Sequence, residues 1–193
     1  MSKPGLKTIE FKVIAGSLKG RRIVVPDLGV TRPPLARLRK SIFDYLNPQL
    51  DGAAYLDLFS GTGSYLFEAV SRGALSATGV EIEARLTRAI NDQAQRLGVA
   101  ERLECRCEDV FEALPRLCQA GRRYHLIMTA PPQYRGFIDR TLKLLASHEL
   151  LLPDGRIICQ HDTSETRKVD WDNFPVIQRR EYGNTTFTIL GRL

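Results

Sequence analysis

The sequence predicts one α/β domain built on a mainly parallel sheet with helices on both faces. From residue 53 onward, short apolar runs alternate with segments of helical spacing, which is typical of βαβ units. A glycine-containing loop, residues 60–63, directly follows the first apolar run. The chain has 193 residues, of which 43% are hydrophobic and 26% charged, so one folded domain is expected.

The first 50 residues predict a hairpin followed by a helix. Residues 9–15 alternate apolar and polar side chains, residues 16–20 are typical of a turn, and residues 21–26 indicate a returning strand. Apolar residues then recur at helical spacing from Leu35 to Leu46. We expect Asn47-Pro48 to end this helix, because proline disfavours the helical conformation in the residue before it.

The remaining elements follow a strand–helix rhythm. The last two strands, at 176–180 and 185–190, are predicted to pair in antiparallel fashion, so that the sheet has seven strands. The strands are predicted at 54–59, 77–81, 103–107, 124–129, 156–160, 176–180 and 185–190, and the helices at 65–72, 83–97, 111–119 and 137–147.

Positive charge is concentrated in the first quarter of the chain. The net charge is +6, yet residues 1–50 carry ten Lys/Arg and three acids, a net +7. Residues 51–193 carry 18 Lys/Arg and 19 acids, a net −1. We therefore divide the chain into a basic extension, residues 1–50, and a body, residues 51–193. Such asymmetry is typical of a phosphate-binding appendage, although a solvated basic surface explains it equally well.

Several classes of protein are disfavoured by composition. No apolar run is long enough to span a bilayer, and no apolar signal core follows the N-terminus. The four cysteines form no C-x-x-C pair and the three histidines are scattered, so a metal site is not expected. A cytoplasmic protein with reduced thiols and no membrane or metal partner is the expectation.

The loop after the first strand of the body indicates a ligand site. Its glycines, Gly61 and Gly63, allow the backbone to approach a ligand closely, and the next helix presents free N–H groups there. A full dinucleotide fingerprint requires a third glycine where Leu66 stands, which counts against a nicotinamide cofactor.

Two acids end the next two strands. Glu81 is placed to hold both hydroxyls of a ribose, and Asp109 to accept the exocyclic amine of an adenine. Glu81 could instead be a surface charge, and Asp109 could instead, or also, cap the helix at 111–119. Features at the ends of three successive strands are more specific than any one of them, because ligands of parallel sheets bind at that edge.

The fourth strand of the body is followed by residues 130–134, with the sequence APPQY. Two prolines stiffen this loop and turn its carbonyls toward the crevice. A simple strand-ending turn is the alternative, but the position beside the glycine loop favours a substrate-facing role.

Over nearly its whole length the chain resembles the RsmD-type methyltransferases, which methylate a guanine exocyclic amine in bacterial 16S ribosomal RNA. The resemblance rests on residues 13–22 (VIAGSLKGRR), 31–33 (TRP), 37–39 (RLR), 57–63 (DLFSGTG), 68–74 (EAVSRGA), 80–81 (VE), 131–132 (PP) and 182–186 (YGNTT). It implies a Rossmann-like fold of class I and S-adenosylmethionine as cofactor. Ribosomal RNA or the small-subunit particle would be the partner, and a monomer is expected.

The residues that the resemblance and the residue patterns together assign fall into three sets. The cofactor set is Asp57, Phe59, Ser60, Gly61, Thr62, Gly63, Glu81 and Asp109; the catalytic set is Ala130, Pro131, Pro132, Gln133 and Tyr134; the RNA-binding set is Lys19, Arg21, Arg22, Arg32, Arg37 and Arg39.

The chain departs from the family pattern at two places. The family has Asp or Asn before the proline pair and Tyr or Phe after it, where this chain has Ala130 and Gln133, with Tyr134 one position later. The family also has a small residue at the position of Leu66. Backbone carbonyls of the loop and Gln133 are the expected substitutes for the missing acceptor. Two alternatives stay open: an RNA-binding or assembly protein that keeps only the cofactor site, and a methyltransferase for another amine.

Overall fold

The computed structural model describes residues 7–31 and 33–192, and it begins with a hairpin and a helix. Strands β1 (Thr8–Lys12) and β2 (Arg22–Pro26) pair in antiparallel fashion, with Phe11 opposite Ile23. Helix α1 follows as Ala36–Leu50. The hairpin and the helix predicted for this part of the chain are confirmed.

The body contains a seven-stranded sheet, as predicted. Its order is β5-β4-β3-β6-β7-β9-β8; strands β3 to β7 are parallel to one another, and β9 is antiparallel to both of its neighbours. The strands are β3 (Ala54–Leu58), β4 (Ser76–Glu81), β5 (Leu103–Cys107), β6 (Tyr124–Thr129), β7 (Leu151–Asp162), β8 (Val176–Tyr182) and β9 (Thr185–Leu190).

Helices cover both faces of this sheet. One apolar core joins α1, α2 (Ser64–Ser71) and α3 (Ala84–Arg96) to one face, and a second joins α4 (Val110–Gln119) and α5 (Phe137–Ser147) to the other. The strand order reverses between β3 and β6, which open a crevice at their carboxyl ends.

Three predicted boundaries are wrong by about three residues or more. Strand β1 ends at Lys12 rather than at residue 15. Helix α1 continues through Pro48 to Leu50, because Pro48 lies in the last turn and the fully buried Leu50 anchors that turn in the core. Strand β7 begins at Leu151, five residues earlier than predicted, because Leu151 pairs with Tyr124 before an irregularity in the register.

The extension shares its core with the body. Phe11, Ile23 and Leu46 belong to the same apolar cluster as Phe67 and Leu126. The amide of Gln93 in α3 also donates to the carbonyl of Val24 at 3.2 Å. The hairpin and α1 are therefore packed onto the body rather than tethered to it.

A buried carboxylate, that of Glu68 in α2, reinforces this packing. Its Oε1 accepts from Nε of Arg39 at 3.1 Å and from the N–H of Ile14 at 2.7 Å, while Nε of Arg72 lies 3.4 Å from Oε2. A second N–H of Arg39 donates to the carbonyl of Lys12 at 2.7 Å. The prediction that Arg39 binds RNA phosphate is wrong, because its side chain is only 2% exposed and is paired with Glu68.

The unexpected Leu66 is accommodated by a glycine on the neighbouring strand. Leu66 is fully buried, and a Cβ built at Gly79 would lie 2.5 Å from its Cδ1. The family has a small residue at position 66. In this chain the small residue is Gly79 on β4, and it provides the space that Leu66 fills.

Contacts far apart in sequence join the C-terminal hairpin to α1. The hydroxyls of Ser41 and Tyr182 lie 2.5 Å apart although 141 positions separate them. The guanidinium of Arg180 lies 4.4 Å from the ring centre of Tyr45. Strand β8 therefore packs against the extension as well as against β9.

Replacing Glu68 by Gln should lower the free energy of unfolding by about 3 kcal/mol, because it leaves the buried guanidinium of Arg39 without its countercharge. Arg72 keeps its second partner, Asp44, at 2.9 Å. Urea denaturation followed by circular dichroism measures this loss. Glu10→Gln is the matched control, since the Glu10–Arg22 pair is exposed and its removal should leave stability within experimental error. Equal stability of Glu68→Gln and the wild type would contradict a structural role for the buried pair.

Candidate functional site

The glycine loop, residues 60–63, and Phe59 before it have an unusual backbone conformation at the end of β3. Phe59, Gly61 and Gly63 all have positive φ, at 64°, 53° and 74°. The Ser60 hydroxyl donates to the carbonyl of Asp57 at 2.8 Å and accepts from the N–H of Val80 at 3.1 Å. These bonds tie the loop to both β3 and β4, and so fix its shape.

Both glycines of the loop are required by their surroundings. A Cβ at Gly61 would lie 2.6 Å from Oγ1 of Thr31, and one at Gly63 would lie 2.9 Å from Cγ1 of Ile90. The first contact also shows that the segment after β2 crosses directly over the loop. The extension and the glycine loop are therefore neighbours.

Glu81 stands at the end of β4, where its carboxylate joins the strand to the loop. Oε2 accepts from the N–H of Gly61 at 2.7 Å, and Oε1 accepts from the N–H of Glu83 at 2.9 Å. Each oxygen retains a lone pair, since a carboxylate offers about four acceptor positions. The predicted ribose contact at Glu81 is compatible with this geometry and stays a prediction.

Asp57 is a buried acid on β3. Both carboxylate oxygens lack a hydrogen-bond partner among residues 7–31 and 33–192. Burial raises the pKa of this carboxyl well above its usual range, and the nearby charge of Glu81 raises it further. A carboxyl in this state suits a cationic ligand group, because an ammonium would satisfy it. The site thus fits the amino group of S-adenosylmethionine.

Asp109 occupies the N-cap of α4, where its Oδ1 accepts from the N–H of Phe111 at 2.7 Å. The capping role is therefore confirmed. The contact to an adenine amine remains a prediction, for which Oδ2 is available.

Apolar side chains at this edge of the sheet, other than the predicted Phe59, were missed from the sequence. Ile82 follows Glu81 and is 68% exposed. The ring of Phe59 stacks on that of Phe137 at 6.0 Å, and Phe111 meets both edge-on. A flat base packs well on such a surface. An apolar residue directly after a strand-ending acid was the available signal.

The loop after β6 borders a cavity of about 220 Å³. It stays close to β3, since the N–H of Ala130 lies 3.4 Å from the carbonyl of Leu58. Tyr134 is exposed, has a φ of 60°, and donates its N–H to Glu165 at 2.9 Å. The residues bordering the cavity include Pro131, Pro132, Gln133, Tyr134, Gln160 and Lys168. The structure brings together four of the five residues predicted as catalytic, and adds Gln160.

The predicted RNA-binding residues divide by exposure. Lys19, Arg21 and Arg37 are exposed, and Arg22 is exposed but paired with Glu10. Lys19 also borders an open groove of about 480 Å³ with Lys12, Pro33, Pro34 and Leu35. Arg39 is buried, as described above, and Arg32 lies outside the described residues.

Within residues 7–31 and 33–192, no helix has the length and apolar character needed to cross a bilayer. The same part of the chain contains no cluster of side chains suited to bind a metal ion.

Known proteins resemble this chain in sequence and in fold. A family model described as Conserved hypothetical protein 95 matches residues 11–191. Ribosomal RNA small subunit methyltransferase D of Escherichia coli K12 is 27% identical over 184 residues, 95% of this chain and 90% of that protein. A solved structure from Escherichia coli, described as a putative methyltransferase, superposes with a TM-score of 0.82 at 26% identity, covering 95% of this chain and 98% of that one.

A more distant structure shares the fold alone. The 16S rRNA N2 G1207 methyltransferase RsmC of Thermus thermophilus, solved with AdoMet and guanosine, superposes with a TM-score of 0.74 at 17% identity. The match covers 98% of this chain and 52% of that one.

The fold and these relatives identify the chain as a class I S-adenosylmethionine-dependent methyltransferase. Within that class, the chain belongs to the Conserved hypothetical protein 95 family, the RsmD-type methyltransferases. The resemblance inferred from the sequence motifs is confirmed.

Glu81→Ala should weaken binding of S-adenosylhomocysteine by roughly 1.5–3 kcal/mol, the range for hydrogen bonds to a charged group. The ribose would lose its acceptor, and the N–H of Gly61 would lose the bond that fixes the loop. Isothermal titration calorimetry measures the affinity. Glu101→Ala, which removes an exposed acid before β5, is the control and should bind normally. Full affinity in Glu81→Ala would refute the assignment.

Proposed function

We propose that this protein transfers a methyl group from S-adenosylmethionine to the exocyclic amine of a guanine in 16S ribosomal RNA. The observation that carries the proposal is the position of the 220 Å³ cavity. The Pro131–Tyr134 loop borders this cavity and follows β6, and β6 pairs with β3, the strand that leads into the glycine loop. Family membership over residues 11–191 and the name of the Escherichia coli relative support ribosomal RNA as substrate.

S-adenosylmethionine supplies a methyl group already activated by a positively charged sulfur. The task left to the protein is alignment of the amine with that group. Glu81, Asp57 and the glycine loop would hold the nucleoside and amino acid portions. Pro131 and Pro132, which fix the backbone beside the loop, would orient the target base.

The cavity is suited to a base extruded from an RNA strand. Tyr134 is 63% exposed, and its backbone is held by Glu165, so its ring is available for stacking. Lys168, on the same cavity, would contact a neighbouring phosphate. These groups recognise single-stranded or locally opened RNA more readily than a continuous duplex.

The extension would hold the RNA backbone. Lys19, Arg21 and Arg37 are exposed, and the segment between β2 and α1 crosses the glycine loop at Thr31. RNA bound to the extension would therefore lie next to the methyl donor. Either naked 16S RNA or a small-subunit particle could present such a strand.

One observation favours a second candidate, an RNA-binding or assembly protein that keeps the cofactor site without turnover. Ala130 provides only a methyl group where the family carries an acid or amide, so the target amine lacks its expected acceptor. The two functions predict opposite results in a transfer assay.

Purified protein and labelled S-adenosylmethionine should methylate 16S RNA or small subunits from cells lacking this protein. Digestion and mass spectrometry should then locate the label on a guanine N2. RNA from cells that contain the protein is the control and should accept little, because its site is already filled. Label on another base would contradict guanine as the target. No label on either form of RNA would favour the candidate function of RNA binding without turnover.

RNA affinity should fall steeply with salt, because bound cations release counterions from the phosphates. Changing both Lys19 and Arg21 to Gln should reduce the slope of log K against log salt by about 1.4, at about 0.7 per single-strand contact. Filter binding across a salt series measures the slope. The control changes Arg116 and Arg122, which pair with Glu108 and Glu104, and should leave the slope nearly unchanged. Identical slopes for the first variant and the wild type would exclude Lys19 and Arg21 as contacts.

A further inference from the structure

Gln160 borders the cavity and forms a polar pair with Tyr65, and the proposed reaction assigns no role to either residue. Tyr65 is the second residue of α2, directly after the glycine loop, and only 5% of it is exposed. Its hydroxyl donates to Oε1 of Gln160 at 2.5 Å. Burial raises the pKa of Tyr65, and the charge of Asp57 raises it further, so the phenol keeps its proton. The pair therefore holds the Gln160 amide in a fixed position.

Gln160 lies beside Ala130 across the sheet. Strands β6 and β7 are parallel, and their last paired residues are Thr129 and Cys159. Ala130 is the first residue after β6, and Gln160 is the next residue of β7. Continued by one position, the register sets these two residues side by side, with their side chains on the same face of the sheet. Ala130 packs against the core cluster that contains Tyr65, which places it on the face where Gln160 meets Tyr65.

This juxtaposition puts an amide next to the position where the family has an acid or amide and this chain has a methyl group. An amide oxygen has two acceptor lone pairs, and Tyr65 uses one of them. Among residues 7–31 and 33–192, Tyr65 is the hydrogen-bond partner of the Gln160 side chain, and no second one occurs. The remaining lone pair is free for an N–H in the cavity.

Resting on the function proposed above, we propose that Gln160 is the catalytic residue that accepts a hydrogen bond from the target amine in place of the side chain missing at Ala130. Tyr65 is its positioning residue. Gln133 is a weaker candidate for this role, since it is exposed, lies three residues beyond Ala130 and has no partner within the described ranges that would fix its amide.

In the step itself, the amine nitrogen forms a bond to the methyl carbon, and the bond from that carbon to sulfur breaks with its electron pair moving to sulfur. The nitrogen becomes positively charged and releases one proton to water in the cavity. Gln160 is not the base, because an amide does not take up a proton at neutral pH. Its oxygen stabilises the N–H as positive charge develops, so the hydrogen bond is stronger in the transition state than in the ground state.

The test compares single-turnover rates of variants on the form of ribosomal RNA that the wild type methylates. Gln160→Leu should lower the rate roughly 10- to 100-fold, the loss expected for a hydrogen bond to a developing charge. Its affinity for S-adenosylhomocysteine should be unchanged. Gln160→Glu should remain within about threefold of the wild type, because a carboxylate accepts from both Tyr65 and the amine. Gln178→Leu, on the exposed edge strand, is the matched control and should be normal.

A second variant relocates the acceptor. Ala130→Asn placed in the Gln160→Leu background should recover most of the lost rate, since it restores an amide oxygen at the neighbouring position. A purely structural role for Gln160 predicts no such rescue. If Gln160→Leu fails to fold, two other variants replace it. Gln160→Glu should have a rate near that of the wild type, and Tyr65→Phe should have a clearly reduced rate.

The outcomes separate the two proposals. Absence of transfer to guanine by the wild type would overturn the proposed function and this inference with it. Transfer by the wild type together with an equal rate in Gln160→Leu would overturn this inference alone. A larger loss in Gln133→Leu than in Gln160→Leu would move the acceptor to the loop and also overturn it.

Discussion

The placement of the extension on the body depends on one buried carboxylate. Glu68 accepts from the N–H of Ile14 and from the guanidiniums of Arg39 and Arg72, so three separate stretches of chain meet at its two oxygens. A buried charge is tolerated only when it is paired and hydrogen-bonded, and this requirement holds β1, α1 and α2 in one arrangement. Thr31 then lies over Gly61, and the basic surface is set beside the glycine loop.

The residues proposed to bind the cofactor lie along the carboxyl ends of the parallel strands. Glu81 binds the N–H of Gly61, and the Ser60 hydroxyl bridges β3 and β4, so the loop is shaped before any ligand arrives. Such preorganisation matters for methyl transfer, because the reaction depends on alignment more than on proton movement. Asp57 is the exception, since its carboxyl is buried without a partner inside the described ranges and would gain most from a cationic ligand.

Much of the fold was predictable because apolar runs, turns and strand-end residues are local signals. The strand-end site followed from them, since the carboxyl ends of parallel strands meet at one edge. Arg39 was misassigned because charge alone does not reveal burial. Its spacing to Phe43, Leu46 and Leu50 places it on the buried stripe of α1, and that signal was available.

Other features depended on contacts that no local pattern contains. The space for Leu66 comes from Gly79, thirteen residues later on another strand. The neighbourhood of Ala130 and Gln160 follows from the register of β6 against β7, which is set by packing of the whole sheet. The extension of α1 past Pro48 depends on where Leu50 is buried.

The contact between Ser41 and Tyr182 has a consequence for synthesis of the chain. A polypeptide emerges from its N-terminus, and 141 positions separate these two hydroxyls. At about 5–20 residues per second, α1 waits roughly 7–28 seconds for the strand that completes its packing. During that interval the basic extension is present without its last tertiary partner. The segment that carries the excess positive charge is therefore made well before the strand that completes its packing.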